Sequence, residues 1–251
     1  MTPAARIQAG IELWQAVDAA PAAPADAIAN AWFRARRFIG AADRRALSDR
    51  LWAMLRAAPR LLWHLERARA PITPRMLMLA QLAVAEGMAA DAVAGLFNAA
   101  RHGPAPLAEA EKRALSALAG RQLDDPAMPE AVRLGVPDWL LPRLAARFGA
   151  AVAVELAALE TPAPTDLRVN LLKATRAQAQ AALAAEGITT EPTPFSPWGL
   201  RAEGRPPVTA SRAFRDGLVE IQDEGSQLVA ALVDARPGMR VCDLCAGAAG
   251  K

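Results

Sequence analysis

The chain has 251 residues, 53% hydrophobic and 22% charged, with a net charge of +3. That is enough apolar surface for one large core or two smaller ones, and too little charge for wholesale disorder. Two cysteines, Cys242 and Cys245, exclude a disulfide-built scaffold. There is no uncharged apolar run of about 18 residues and no signal-peptide core at the N-terminus, so the expectation is a cytoplasmic protein without a membrane span.

The first 120 residues read as helices. Apolar residues recur at helical spacing over Ala4–Ala19, Ala25–Ile39, Pro74–Ala85, Ala90–Ala99 and Leu107–Ala119. Between them, Ala46, Leu47, Leu51, Met54, Leu55 and Ala58 mark one face of a further helix, with Asp43 as candidate N-cap and Pro59 as its expected end or kink. Proline pairs at 21 and 24, 71 and 74, and 104 and 106 punctuate the breaks, which predicts a bundle with short connections. Trp14, Trp32, Trp52 and Trp63 fall in these helices as core or groove aromatics.

Charge is unevenly placed along the chain. Lys112, Lys173 and Lys251 are its three lysines, so arginine supplies the other 26 of 29 basic residues. A GC-rich genome accounts for such abundance but not for its position. Residues 1–75 carry 12 arginines against 6 acids, a net +6, and the remainder is net −3. Arg34, Arg36, Arg37, Arg44, Arg45 and Arg50 fall within 17 residues. Such a cluster either attracts a polyanion by releasing its counterions or forms a solvated helix face.

Residues 120–137 are polar and proline-bearing and read as a linker, followed by short helices over Asp138–Phe148 and Ala150–Leu159. The pattern then changes. Leu167–Leu171 alternates apolar and polar as a half-buried strand does. Thr175–Glu186 reads as a Thr-capped helix with Gly187 beyond its end, and Ile188–Phe195 as a strand confined to a sheet edge by Pro192 and Pro194. Leu218–Gln222 is a short strand, Gly225–Ala235 a helix, and Met239–Leu244 an apolar strand.

That last strand leads into Cys245, Ala246, Gly247, Ala248, Ala249, Gly250 and Lys251, a loop of small residues after an acid, Asp243. Small residues let a ligand approach the backbone at the carboxyl end of a strand. A phosphate-binding P-loop fails, because Cys245 stands where its first glycine belongs. A dinucleotide fingerprint keeps its last two glycines, Gly247 and Gly250, and lacks its first. A third reading is the first motif of an S-adenosylmethionine-dependent methyltransferase, in which an acid at the strand end and a small-residue loop surround the cofactor. Cys242 and Cys245 make a poor redox pair, since residues three apart on a strand face opposite sides. With His64 and His102 far away in the helical region they make no zinc site either, so no metal is expected. Cys242 reads as a small core hydrophobe.

Asp243-Leu244-Cys245-Ala246-Gly247-Ala248-Ala249-Gly250-Lys251 resembles the Asp-Leu-Cys-Ala-Ala-Pro-Gly-Gly-Lys motif of the RsmB/Sun (Fmu) family of RNA cytosine-5 methyltransferases. Upstream, Leu167–Lys173 resembles the family's Leu-Arg-Val-Asn-x-x-Lys block, and Phe214–Gln227 its Phe-x-x-Gly and Gln-Asp-x-x-Ser-Gln block. The resemblance implies a NusB-like helical RNA-binding domain over 1–125, linker helices and an RRM-like α+β domain over 126–210, and the beginning of a Rossmann-like methyltransferase domain over 211–251. It implies S-adenosyl-L-methionine as cofactor, held by Cys245–Lys251, and ribosomal RNA as partner. The basic cluster adds Arg34, Arg36, Arg37, Arg44 and Arg45 as the expected RNA contacts, and the expected state is a monomer. The resemblance also implies a cysteine thiolate adding to carbon 6 of an unstacked cytosine, so that carbon 5 takes the methyl group.

Ala248 and Ala249 depart from the family's Pro and Gly; a Cβ at 249 costs on the order of 1 kcal/mol where the backbone needs positive φ. The family's catalytic cysteines belong to later Pro-Cys and Thr-Cys motifs that neither Cys242 nor Cys245 matches. No catalytic residue is therefore assigned, and the expectation is a truncated part of a longer enzyme that binds RNA without turnover. The alternative is a non-catalytic RNA-binding module.

Overall fold

The structure is a computed structural model and describes residues 1–244 and 246. The chain divides into two compact units, Met1–Thr161 and the residues from Pro162 onward.

The first unit is helical: α1 Pro3–Asp18, α2 Ala25–Ala35, α3 Ala41–Arg67, α4 Pro74–Ala80, α5 Ala90–Leu96, α6 Glu109–Leu118, α7 Glu130–Arg133, α8 Leu141–Phe148 and α9 Val152–Glu160. Two starts follow directly from local chemistry. Thr2 caps α1 by accepting from the Ala5 amide, and Thr73 caps α4 by accepting from the Met76 amide; proline occupies the first helical position in both. α4 is buried on all sides over Met76–Ala80 and continues as a π-helical stretch, Gln81–Ala85. A helix apolar all round has to be enclosed, and α1, α3 and α6 enclose this one. The faces they turn inward carry Ile7, Ile11 and Trp14, then Leu47, Leu51, Met54, Leu61 and Leu65, then Leu115 and Leu118.

α3 departs from expectation at both ends. Pro59 does not end it: the helix runs through to Arg67. An interior proline costs about 3 kcal/mol. Leu61 and Leu65 beyond it are fully buried, and each buried leucine contributes about 1.5–3 kcal/mol, so packing outweighs the break. Asp43 is not the N-cap; Gly40 is. The Asp43 carboxylate instead accepts from the N-terminal ammonium at 2.7 Å and from Arg6 Nε at 2.6 Å, tying the start of α3 to α1. These two partners, the ammonium first, hold its carboxyl below the usual aspartate value.

α2 stops at Ala35 rather than Ile39, because the chain turns at Arg36 to bury Ile39. The expected linker is pinned rather than free. Arg60, 6% exposed, donates to Asp124 at 3.1 Å and to Glu160 at 2.6 Å, and the His64 ring bonds the Leu123 carbonyl at 3.1 Å. A buried guanidinium requires such carboxylates.

The second unit contains β1 Thr165–Val169, α10 Arg176–Ala185, β2 Thr190–Pro192, β3 Gly199–Ala202, α11 Arg212–Arg215, β4 Val219–Ile221 and α12 Glu224–Leu232. The strands form an antiparallel sheet in the order β2-β3-β1-β4. Leu167 lies opposite Leu200 and Val169 opposite Val219, and this face packs on Ala179, Leu183 and Ala213 of α10 and α11. β2 is an edge of the sheet, as Pro192 within it requires. β3 had no clear sequence signal. β4, expected within the third region, pairs with β1 and belongs to this sheet.

Met239–Leu244 forms no strand, and Cys242 is exposed rather than a core hydrophobe. An apolar segment becomes a strand only when a neighbour takes its backbone hydrogen bonds, and among the described residues none does.

Pro59→Ala restores an amide donor to an interior turn of α3. It should raise the unfolding free energy by about 1–3 kcal/mol in urea denaturation; a loss of stability would show that proline is the better fit there.

Candidate nucleic-acid interface

The six clustered arginines have different fates. Arg50 is fully engaged: Glu86 receives it at 2.8 and 3.0 Å in a two-pronged ion pair. The Arg36 guanidinium carbon lies over the Trp32 ring, 4.0 Å from its centroid, with Glu12 at 3.7 Å. Arg44 sits over Phe33 at 5.3 Å and makes no ion pair among the described residues. Arg34, Arg37 and Arg45 are exposed and have no ion-pair partner among the described residues. The predicted contacts Arg34, Arg36, Arg37, Arg44 and Arg45 thus lie on the last turn of α2, the turn after it and the first turn of α3, while Arg50 is neutralised.

Beside Arg36 opens a cleft of about 450 Å³. Its lining includes Gln8 and Glu12 of α1, Trp32, Phe38 and Ile39, and Arg101 and His102 from the loop after α5. Trp32 and Ile39 are buried, whereas Phe38 is 80% exposed. Arg101 and His102 carry no sequence signal that links them to the cleft, which they reach from more than sixty positions along the chain.

In the second unit, the two upstream motif blocks meet in space. Lys173 Nζ donates to the Asp216 carbonyl at 2.7 Å, and Asn170 Nδ2 to the Gly217 carbonyl at 3.2 Å. Gly217 has φ +69°, and a Cβ there would lie 2.9 Å from Lys173 Nζ. Further along, Asp223 caps α12, and Glu224 and Gln227 grip the loop before β3. The Phe195 and Ser196 amides each donate to Glu224 Oε1 at 2.7 Å, and Ser196 Oγ to Gln227 Oε1 at 2.7 Å. Burial pushes the Glu224 carboxyl up, but the Ser196 and Phe195 amides, with the Thr193 side chain and Arg201, together outweigh it, so the net shift is downward.

The cations on the strands of this unit are matched by acids. Arg201 donates to both oxygens of buried Asp166, at 2.7 and 2.9 Å, and Arg168 pairs with Glu220 at 2.5 Å. The unpaired positive charge of the predicted cluster lies in the first unit.

Of the expected cofactor loop, Ala246 is exposed and outside any regular element. Cys245, Gly247, Ala248, Ala249, Gly250 and Lys251 lie outside the described residues. Those described contain no group of three His, Cys, Asp or Glu side chains placed to hold a metal ion, and no helix long and apolar enough to cross a membrane.

Residues 136–209 match the ferredoxin-like domain of RsmF/B-like methyltransferases. Three curated relatives are named as ribosomal RNA small subunit methyltransferase B, the first with the qualifier "probable". The one from Bacillus subtilis is 32% identical over 130 residues, 51% of this chain and 29% of that protein. The one from Xylella fastidiosa is 36% identical over 115 residues, 46% of this chain and 27% of that protein. The one from Pseudomonas putida is 32% identical over 157 residues, 62% of this chain and 34% of that protein. The matched part therefore spans about a third or less of these relatives' length. The crystal structure of PH0851 superposes with a TM-score of 0.61 at 16% identity, over 95% of this chain and 57% of that one, a likeness of fold.

Two outcomes are expected in the second unit. Gly217→Ala should lower stability by at least about 1 kcal/mol in urea denaturation, since it adds left-handed strain to a close approach. For Glu224 the lowered folded-state pKa makes its contribution full above the ordinary glutamate range and lost as pH falls through the folded value. The stability gap between wild type and Glu224→Gln should therefore close on acidification, and a gap constant with pH would refute this.

Proposed function

We propose, from the matched ferredoxin-like domain and the shared motif blocks, that the chain is part of an RNA methyltransferase of the RsmB/Sun family acting on small-subunit ribosomal RNA in the cytoplasm, and that its helical unit, a NusB-like domain, holds the RNA. The observation that carries the RNA-binding role is the contrast in charge pairing. Arg168 and Arg201 on the sheet face carboxylates, whereas Arg34, Arg37 and Arg45 face solvent with no ion pair among the described residues. Unpaired, exposed cations gain most from phosphate, because no existing ion pair is broken on binding.

The finer reading follows the motif resemblance. The methyl acceptor is carbon 5 of a cytosine, and S-adenosyl-L-methionine supplies the methyl group when bound. Cys245, Ala246, Gly247, Ala248, Ala249, Gly250 and Lys251 would hold it at the opening of a Rossmann-like domain. The described flank of that loop, Met239–Leu244, is exposed and outside any strand, so this assignment rests on the motif and the family. Within this chain, Arg34, Arg36, Arg37, Arg44 and Arg45 position RNA and no residue is assigned as the nucleophile.

The test is binding of a small-subunit ribosomal RNA fragment across a salt series. Replacing Arg34, Arg37 and Arg45 together with Ala should weaken binding and reduce the slope of log affinity against log salt by about one for each phosphate that is no longer engaged. An unchanged slope would show that the three arginines are only a solvated face.

A further inference from the structure

We infer that the cleft beside Arg36 is a pocket for one unstacked base of single-stranded RNA, with neighbouring cations taking the flanking phosphates. This rests on the RNA-binding reading above and adds to it a site that recognises a base rather than backbone charge alone.

Four observations converge on it. The cleft has about 450 Å³, within the roughly 300–1,000 Å³ typical of small-ligand sites. It offers two flat surfaces. Phe38 is 80% exposed at its edge, although the adjoining Ile39 is buried, so the turn buries the aliphatic residue and leaves the aromatic one in water. The second surface is the Arg36 guanidinium over the Trp32 ring, 4.0 Å from its centroid. Aromatic rings and guanidinium planes are the surfaces on which proteins stack single-stranded bases.

The third observation is charge. Arg36 and Arg101 line the cleft against one acid, Glu12. Glu12 is already approached by Arg36 at 3.7 Å and accepts from Gln8 at 3.1 Å. The fourth is backbone strain. The loop that brings in Arg101 and His102 holds two non-glycine residues in the left-handed region, Ala99 at φ 54° and His102 at φ 64°. Such positions cost on the order of 1 kcal/mol and persist where the surroundings enforce them. Here Ala99 N donates to the Pro104 carbonyl at 3.0 Å, and Gly103 lies so close to α1 that a Cβ would come within 3.0 Å of Ala4 Cβ. The loop is thus clamped to α1 with Arg101 and His102 directed into the cleft.

The experiment uses the full chain and two fluorescently labelled strands: a single-stranded oligouridylate, and an abasic strand with the same number of phosphates. Fluorescence anisotropy should show wild type preferring the base-bearing strand. Phe38→Ala, at a position too exposed to matter for folding, should lower affinity for that strand at least about fivefold and remove the preference, without changing the salt slope. Arg101→Ala should weaken both strands and lower the slope by about one. Equal binding of the two strands by wild type, or undiminished binding by Phe38→Ala, would overturn the proposal and leave the cleft to an apolar protein segment. If the triple arginine variant loses RNA while Phe38→Ala does not, the basic face stands and the base pocket falls. If wild type binds neither strand, both readings fail.

Discussion

The helical unit is organised by the need to enclose Met76–Val84. Every residue of this stretch is buried, so it cannot lie at the surface with one face wet. Each helix packed around it needs only one apolar stripe, and its remaining faces can carry charge. α3 shows the strength of the demand. Its stripe is continued by Leu61 and Leu65 on the far side of Pro59, and the gain from burying them holds the helix together through a residue that disfavours it. Arginines displaced from the inward faces gather where α2 ends and α3 begins.

What those arginines can do depends on what lies beside them. Arg6, Arg50, Arg60 and Arg75 each meet a carboxylate and serve to fasten one segment to another. Arg36 and Arg44 are laid over aromatic rings, which adds a cation–π contact to each, and Arg36 also meets Glu12. Arg34, Arg37 and Arg45 remain exposed at the same corner. The corner therefore presents cations laid over aromatic rings next to solvated ones. That combination suits a polymer with planar bases and a charged backbone better than a small anion.

The sheet unit uses charge differently. Asp166 and Glu224 are buried carboxylates that accept from Arg201 and from backbone amides. Through Glu224 and Gln227, α12 is fastened to the loop before β3. Through Lys173 and Asn170, the loop after β1 is fastened to the turn before β4. The blocks on which the family resemblance rests are thus the residues that close the sheet's connections, which gives them a structural role whatever they also contribute to chemistry.

The sequence alone determined those features whose cause is local. The cap at Thr175 precedes a real helix, because a hydroxyl three residues from an amide is enough to satisfy it. The alternation around Leu167 and Val169, and the edge position set by Pro192 of β2, were likewise legible. Tertiary structure decided the rest. Pro59 lies within a helix, Asp43 binds the N-terminus rather than capping, β3 forms from four residues too short to signal themselves, and the apolar run Met239–Leu244 forms no strand. It also decided which arginines are paired and assembled the cleft from α1, the α2–α3 turn and a distant loop. A cap acts over three residues of chain, whereas an ion pair or a stacking surface acts over a few ångströms of space, and only the fold converts one distance into the other.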